Sequence, residues 1–209
     1  MDHWMTDQQS TADHWWWRPG WSTGRRFLTW HLTFDHALQV HRLAEAYRQR
    51  LATVPGLDLI PNQWLHLTMQ GLGFVDEVAQ DDVEAIVAIA RAQLALVPAF
   101  DVTIDRPAFT PEAIRWEAAP REPVEAVRDA IRTAIGTVWA EVPEQRDGFG
   151  PHISIAYSNA ALPAGPVLAA IAAEPSEPAS ARIASAELIL LERDNQMYEW
   201  ETVASLPLA

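Results

Sequence analysis

Two short segments restrict the fold of this chain more than anything else in it: His66-Leu67-Thr68-Met69 and His152-Ile153-Ser154-Ile155, 86 residues apart. Each alternates a histidine and a hydroxyl residue with apolar ones. That is the pattern of a β-strand with one buried face, because side chains at i and i+2 of a strand share a side. Leu65, Leu67 and Met69 then point into a core, as do Ile153 and Ile155. His66 with Thr68, and His152 with Ser154, are left to line something polar. A fold that satisfies both strands needs a core beneath them and a cleft above.

Side by side, two such strands present two imidazoles and two hydroxyls. An imidazole with a pKa near ~6.5 can be neutral or protonated around neutral pH. One ring can therefore act as base and the other as acid on opposite sides of a reacting group. The hydroxyls can donate hydrogen bonds to anionic oxygens held between the rings. A phosphate ester suits this arrangement, since its entering and leaving oxygens lie roughly in line. A single His-x-Thr carries little weight, and a strand histidine beside a core is commonly structural. The signal is the recurrence of the pattern with a matching hydroxyl.

The pair resembles the motifs of the two-histidine phosphoesterase superfamily. Within it, the chain is similar to the bacterial 2′-5′ RNA ligase-like, or cyclic phosphodiesterase, branch. The likeness runs from about Phe27 to the C-terminus and includes a first strand ahead of a helix. It also includes His66-Leu67-Thr68 followed by Gly71-Leu72-Gly73, and Pro151-His152-Ile153-Ser154 late in the chain. It implies that His66 and His152 are the acid/base pair and that Thr68 and Ser154 hold the phosphate. It also implies a bilobal α+β fold, with two antiparallel sheets facing a central cleft and helices outside. The implied activity is metal-independent cleavage of a 2′,3′-cyclic phosphate or 2′-5′ phosphodiester in nucleotides or RNA ends, with no cofactor. Two other readings stand beside it. One is a module that binds a nucleotide or RNA end without turnover. The other is a zinc hydrolase using His31, His66 and His152, with water as fourth ligand.

Composition narrows the chemistry. The 209 residues suit one domain, or one domain of two lobes. There is no cysteine, hence no disulfide, thiol nucleophile or thiolate-bound metal. There is no lysine either; all 15 basic residues are arginine. A lysyl-nucleotide ligase, a Schiff-base enzyme and a Walker-type phosphate loop are all excluded. Any ligation would have to be the reverse of phosphodiester cleavage. A net charge of −13 argues against a broad grip on duplex nucleic acid. A small nucleotide or short RNA end needs only a few local arginines. No run of apolar residues is long enough to cross a membrane, and no secretory signal is visible. A cytoplasmic monomer without a membrane partner is expected.

Along the chain, residues 1–26 read as a tail and 27–209 as the two-lobed domain. The tail holds Trp4, Trp15, Trp16, Trp17 and Trp21, half of the ten tryptophans, with Arg18, Arg25 and Arg26. Such a segment can stack on a nucleobase, touch a membrane interface or a protein, or pack back over the domain. Phe27–Phe34 alternates as a strand, and Asp35 is placed to cap the following helix. Its apolar stripe is Val40, Leu43, Ala44, Tyr47 and Leu51. Further strands are expected at about Leu65–Leu72, Phe100–Asp105 and Ala113–Ala118. Helices are expected at about Asp81–Val97, Pro123–Glu141 and Pro163–Ala173. A Pro-rich connector, Glu174–Ser180, leads to a closing hairpin of Ala181–Glu192 and Tyr198–Val203.

Three more residues are candidates for substrate contact. His31, in Trp30-His31-Leu32-Thr33, is a third His-x-Thr, and its strand resembles the family's first. Gln70 falls on the motif face, two residues past Thr68. Tyr157 stands where relatives often carry a basic residue. Strict alternation puts its side chain on the apolar side with Ile153 and Ile155. His36 and His41 are expected at the surface.

Overall fold

A computed structural model describes residues 9–173 and 177–209. Trp4 of the tail and the start of the connector, Glu174 to Ser176, lie outside the described residues. The main sheet holds β1 (Phe27–Thr33), β2 (Leu57–Leu59), β3 (His66–Phe74), β5 (Ala108–Phe109), β6 (Ala113–Glu117), β7 (His152–Ser158), β9 (Ser185–Glu192) and β10 (Glu199–Pro207). A second sheet pairs β4 (Phe100–Ile104) with β8 (Ala179–Ile183). The helices are α1 (Leu38–Leu51), α2 (Gln80–Leu94), α3 (Arg121–Val138) and α4 (Gly165–Ala172). The chain is α+β, as expected.

The main sheet runs β10-β9-β1-β3-β7-β6-β5, with β2 also on β7. Every pairing is antiparallel. Its two halves meet at one residue pair, Leu67 with Ile153, the second residues of the two motifs. The two expected sheets are therefore two halves of one sheet, hinged at the motifs. The helices cross over. α1 packs on β2, β7 and β8, while α3 packs on α2 and β3, so each half is covered by a helix from the other half of the sequence. The apolar stripes predict the buried faces: Val40, Leu43, Ala44, Tyr47 and Leu51 of α1 are all buried, as are Val124, Val127, Ile131, Ala134 and Ile135 of α3.

Three local expectations change. Asp35 does not cap α1, because the chain turns through residues 35–37 and Ala37 occupies the cap position with no side-chain bond. The single strand expected at Ala181–Glu192 breaks at Ala184 into β8 and β9, which belong to different sheets. β10 continues to Pro207, beyond the expected Val203.

The described part of the Trp-rich segment packs on the domain. Backbone N–H groups of Thr11, Ala12 and His14 donate to the carbonyls of Leu162, Pro111 and Ser158. Trp15 is buried, and its indole N–H donates to Asp58 Oδ2 at 2.8 Å. Arg193, also buried, has its guanidinium 5.4–5.9 Å from the rings of Trp15, Trp17, Trp21 and Tyr198. That is within cation–π range.

Candidate active site

The hinge positions the motif side chains. Continuing the Leu67–Ile153 register by one residue sets His66 across from Ser154 and Thr68 across from His152. The histidines therefore occupy diagonal corners of a small square, and the hydroxyl residues occupy the other two. Diagonal neighbours in an antiparallel pair lie roughly 7–8 Å apart. Two imidazoles reaching inward from such corners can approach one phosphorus atom from two sides. His66, Thr68 and His152 line one cleft of about 430 Å³ with His31, Thr29, Tyr157, Tyr198, Glu144 and the N-terminal His14, Arg18 and Trp21.

The two histidines are tethered alike. His66 Nδ1 meets the carbonyl of Trp64 at 2.8 Å, and His152 Nδ1 meets that of Gly150 at 2.7 Å. In each case the acceptor lies two residues earlier. A carbonyl can only accept, so both Nδ1 atoms carry the proton and both Nε2 atoms present a lone pair when the rings are neutral. Burial, opposed by the Trp64 carbonyl and aided by the nearby His152, lowers the His66 pKa to about 4. His152 is also lowered, first by burial and then by the Arg115 guanidinium, with the Gly150 carbonyl opposing. Both rings are neutral at pH 7.

His31 is buried behind His66, its ring stacked at 4.3 Å and 7° from parallel. Desolvation holds its pKa well below the usual histidine range. This stacking argues against the three-histidine zinc reading. Imidazole binds metal in its ring plane at about 2.0–2.1 Å, so two parallel stacked rings cannot both aim at one ion. Among the described residues, no group of three or more His, Cys, Asp or Glu side chains is arranged to hold a metal.

β-Bulges decide where the other candidates point, because one extra residue reverses the alternation beyond it. On β7, Ile114 faces Ala156 while Arg115 faces Ser154, which leaves Ile155 as the extra residue. Tyr157 therefore turns to the cleft, contrary to strict alternation, and its hydroxyl is bonded to Ser154. On β3, Trp30 faces Gln70 while His31 faces Thr68, so Met69 is extra. Gln70 thus turns away from Thr68 and toward α3. It is fully buried, donates to the carbonyl of Pro143 at 2.6 Å and accepts from Arg132 at 2.7 Å. It does not join the cleft residues.

Several cleft residues were not visible in the sequence. Arg115 of β6 donates from Nη1 toward His152 Nε2 at 3.4 Å. It reaches the site only because the bulged β6–β7 register sets it opposite Ser154. Tyr198 and Glu144 come from a hairpin and a loop. The Tyr198 hydroxyl lies 2.9 Å from His14 Nε2. Glu144 accepts the Gly71 N–H at 3.1 Å, and a Cβ on Gly71 would displace that carboxylate.

Two half-sheets hinged at a His-x-Thr strand and a His-x-Ser strand define a class, the two-histidine phosphoesterase fold. A family model described as the 2′-5′ RNA ligase superfamily matches residues 30–195, and the chain belongs to that superfamily. Among solved structures, TT0787 of Thermus thermophilus is similar, with a TM-score of 0.65 and 16% identity over 87% of this chain and 97% of that one. LigT of E. coli, crystallised with 3′-AMP, gives a TM-score of 0.63 and 14% identity over 88% and 98%. The MHV ns2 PDE domain gives 0.55 and 11% over 79% and 99%. At these identities the likeness is one of fold. LigT has also been crystallised with NADP+ and with ATP. No curated protein sequence matches the chain significantly.

Proposed function

We propose that this protein is a metal-independent phosphodiesterase acting on a 2′,3′-cyclic phosphate or a 2′-5′ phosphodiester of nucleotides or RNA ends. The observation that carries this reading is the matched Nδ1 tether of His66 and His152, which turns the unprotonated Nε2 of each neutral ring toward one cleft. The nucleotide complexes of LigT support a substrate of nucleotide size.

His152 is the base in hydrolysis. Burial depresses His66 more, but a bound phosphate offsets burial there, whereas the Arg115 guanidinium continues to oppose a proton on His152. His66 is the acid. A bound phosphate raises the pKa of a neighbouring imidazole by supplying opposite charge, so His66 takes up a proton as substrate enters. Arg115 Nη1 leaves His152 Nε2 for the phosphate, and the freed lone pair of His152 accepts a proton from water as the new P–O bond forms. His66 then donates its proton to the leaving ribose oxygen as the old P–O bond breaks. Thr68 and Ser154 donate to the non-bridging oxygens, with Ser154 exchanging its Tyr157 contact for the phosphate, and Arg115 adds positive charge where the transition state gains negative charge. The roles reverse for the back reaction.

The test is incubation with 2′,3′-cyclic AMP in excess EDTA, with products resolved by chromatography. A single monophosphate isomer, formed at a rate unchanged by the chelator, is expected. Tight binding without turnover would replace the enzyme with a binding module. Activity abolished by EDTA and restored by a divalent metal would overturn the mechanism.

A further inference from the structure

The N-terminal segment supplies three cleft residues, His14, Arg18 and Trp21, all ahead of residue 30, where the family match begins. Two of them are the ends of one tight turn. In Arg18-Pro19-Gly20-Trp21 the Trp21 N–H donates to the Arg18 carbonyl at 3.0 Å, and Gly20 has φ +84°. Proline followed by a glycine with positive φ is the signature of a type II β-turn. A Cβ on Gly20 would come within 2.6 Å of the Phe74 ring, so the close approach also demands glycine. The first and fourth Cα atoms of such a turn lie within about 7 Å. A guanidinium and an indole are thus presented to the cleft as a pair.

The pair is held in place before any ligand arrives. Arg25 donates to the Gly20 carbonyl at 2.6 Å. Trp21 packs edge-on to Phe74 at 5.1 Å and lies 5.9 Å from Phe27. Arg18 pairs with Glu112 at 2.6 Å, and Trp15 anchors the segment on Asp58. Trp21, Phe27, Leu191, Tyr157 and Tyr198 give the cleft an aromatic and apolar wall beside its histidines. Phe27 is four residues from His31 along β1, about 13 Å at ideal strand rise. Within that span a phosphate at the histidines would put its own nucleoside against the indole. The cleft volume of about 430 Å³ falls in the small-ligand range.

We propose that the Arg18–Trp21 turn is a nucleoside clamp. Trp21 stacks on the base of the nucleotide whose phosphate lies between His66 and His152, and Arg18 flanks it with positive charge. The clamp rests on the phosphoesterase reading for the position of the phosphate.

The test uses the full chain, with 3′-AMP and inorganic phosphate as probes in calorimetric titrations. Trp21→Ala should weaken 3′-AMP binding roughly 5- to 100-fold, the size of a lost base–aromatic stack. Phosphate binding should change less than twofold, and Trp21→Phe should recover most of the loss. A folded Trp21→Ala variant that binds 3′-AMP like the parent overturns the clamp. Should that variant fail to fold, the indole N–H resonance missing from Trp21→Phe spectra serves instead. In the parent it should shift with 3′-AMP and not with phosphate, and an unmoved resonance overturns the clamp. Hydrolysis of 2′,3′-cyclic AMP with no role for Trp21 in affinity refutes the clamp alone. Binding of 3′-AMP through Trp21 without hydrolysis upholds the clamp and refutes the catalytic reading.

Discussion

Replacing Gln70 by alanine separates a structural residue from a substrate contact. Its carboxamide is fully buried and joins β3 to α3 and to the loop that carries Glu144. Gln70→Ala removes one hydrogen bond from a guanidinium, about 1.5–3 kcal/mol, and two neutral bonds, to the carbonyls of Pro143 and Gly71, about 1 kcal/mol each. Arg132 and Pro143 are not stranded, because Arg132 Nη1 also donates to the Pro143 carbonyl at 3.1 Å. The net loss is therefore about 4 kcal/mol. For a chain of this length, ~2–4 °C per kcal/mol converts that to a fall in Tm of roughly 8–16 °C. Thermal unfolding by circular dichroism reads the change, and steady-state kinetics below the transition reads the site. KM for a cyclic nucleotide should stay within about twofold, since the side chain points away from the cleft. An unchanged Tm with a KM raised tenfold would instead make Gln70 a substrate contact.

Two further outcomes follow from the electrostatics. Arg115→Gln removes a charge that disfavours protonation of His152, so the His152 pKa should rise and the acidic limb of kcat/KM should move to higher pH; movement to lower pH would contradict the assignment. His66 and His14 are each held down to about 4 in the fold, against about 6.5 unfolded. Between those values the unfolded chain binds more protons, so their stabilisation is complete above about pH 6.5 and is lost as the pH falls toward 4. Tm should fall progressively over that window, and His66→Gln should make the fall shallower. A flat Tm from pH 7 to 5 would show that these rings are not buried as described.

The sequence exposed what is periodic and hid what is set by pairing. The stripes of α1 and α3 name their buried residues because a helix repeats its face every 3.6 residues. The motif histidines and hydroxyls were legible because a strand repeats its face every two. Alternation failed at Met69 and Ile155, where a bulge inserts one residue. Nothing local marks either position, since a bulge is defined by the partner strand. That is why Gln70 and Tyr157 exchange sides. Arg115 was hidden for the same reason, as its place opposite Ser154 is a property of the β6–β7 register. The break at Ala184 follows from two sheets competing for one run of apolar residues. The Arg18–Trp21 turn carried a local signal, Pro-Gly between two larger residues, but its place beside the cleft depends on contacts with Asp58, Ser158 and Phe74.

The histidine pair is tested most directly by its dependence on the leaving group. On 2′,3′-cyclic AMP, His66→Ala and His152→Ala should each lower kcat at least ~10²-fold, as expected for positioned acid–base groups. On bis(p-nitrophenyl) phosphate, which has no internal hydroxyl to attack, water is the nucleophile and the departing phenolate needs no proton. His66→Ala should then regain most of the parent rate while His152→Ala stays impaired. Full activity of either variant on the cyclic substrate would contradict paired-histidine catalysis.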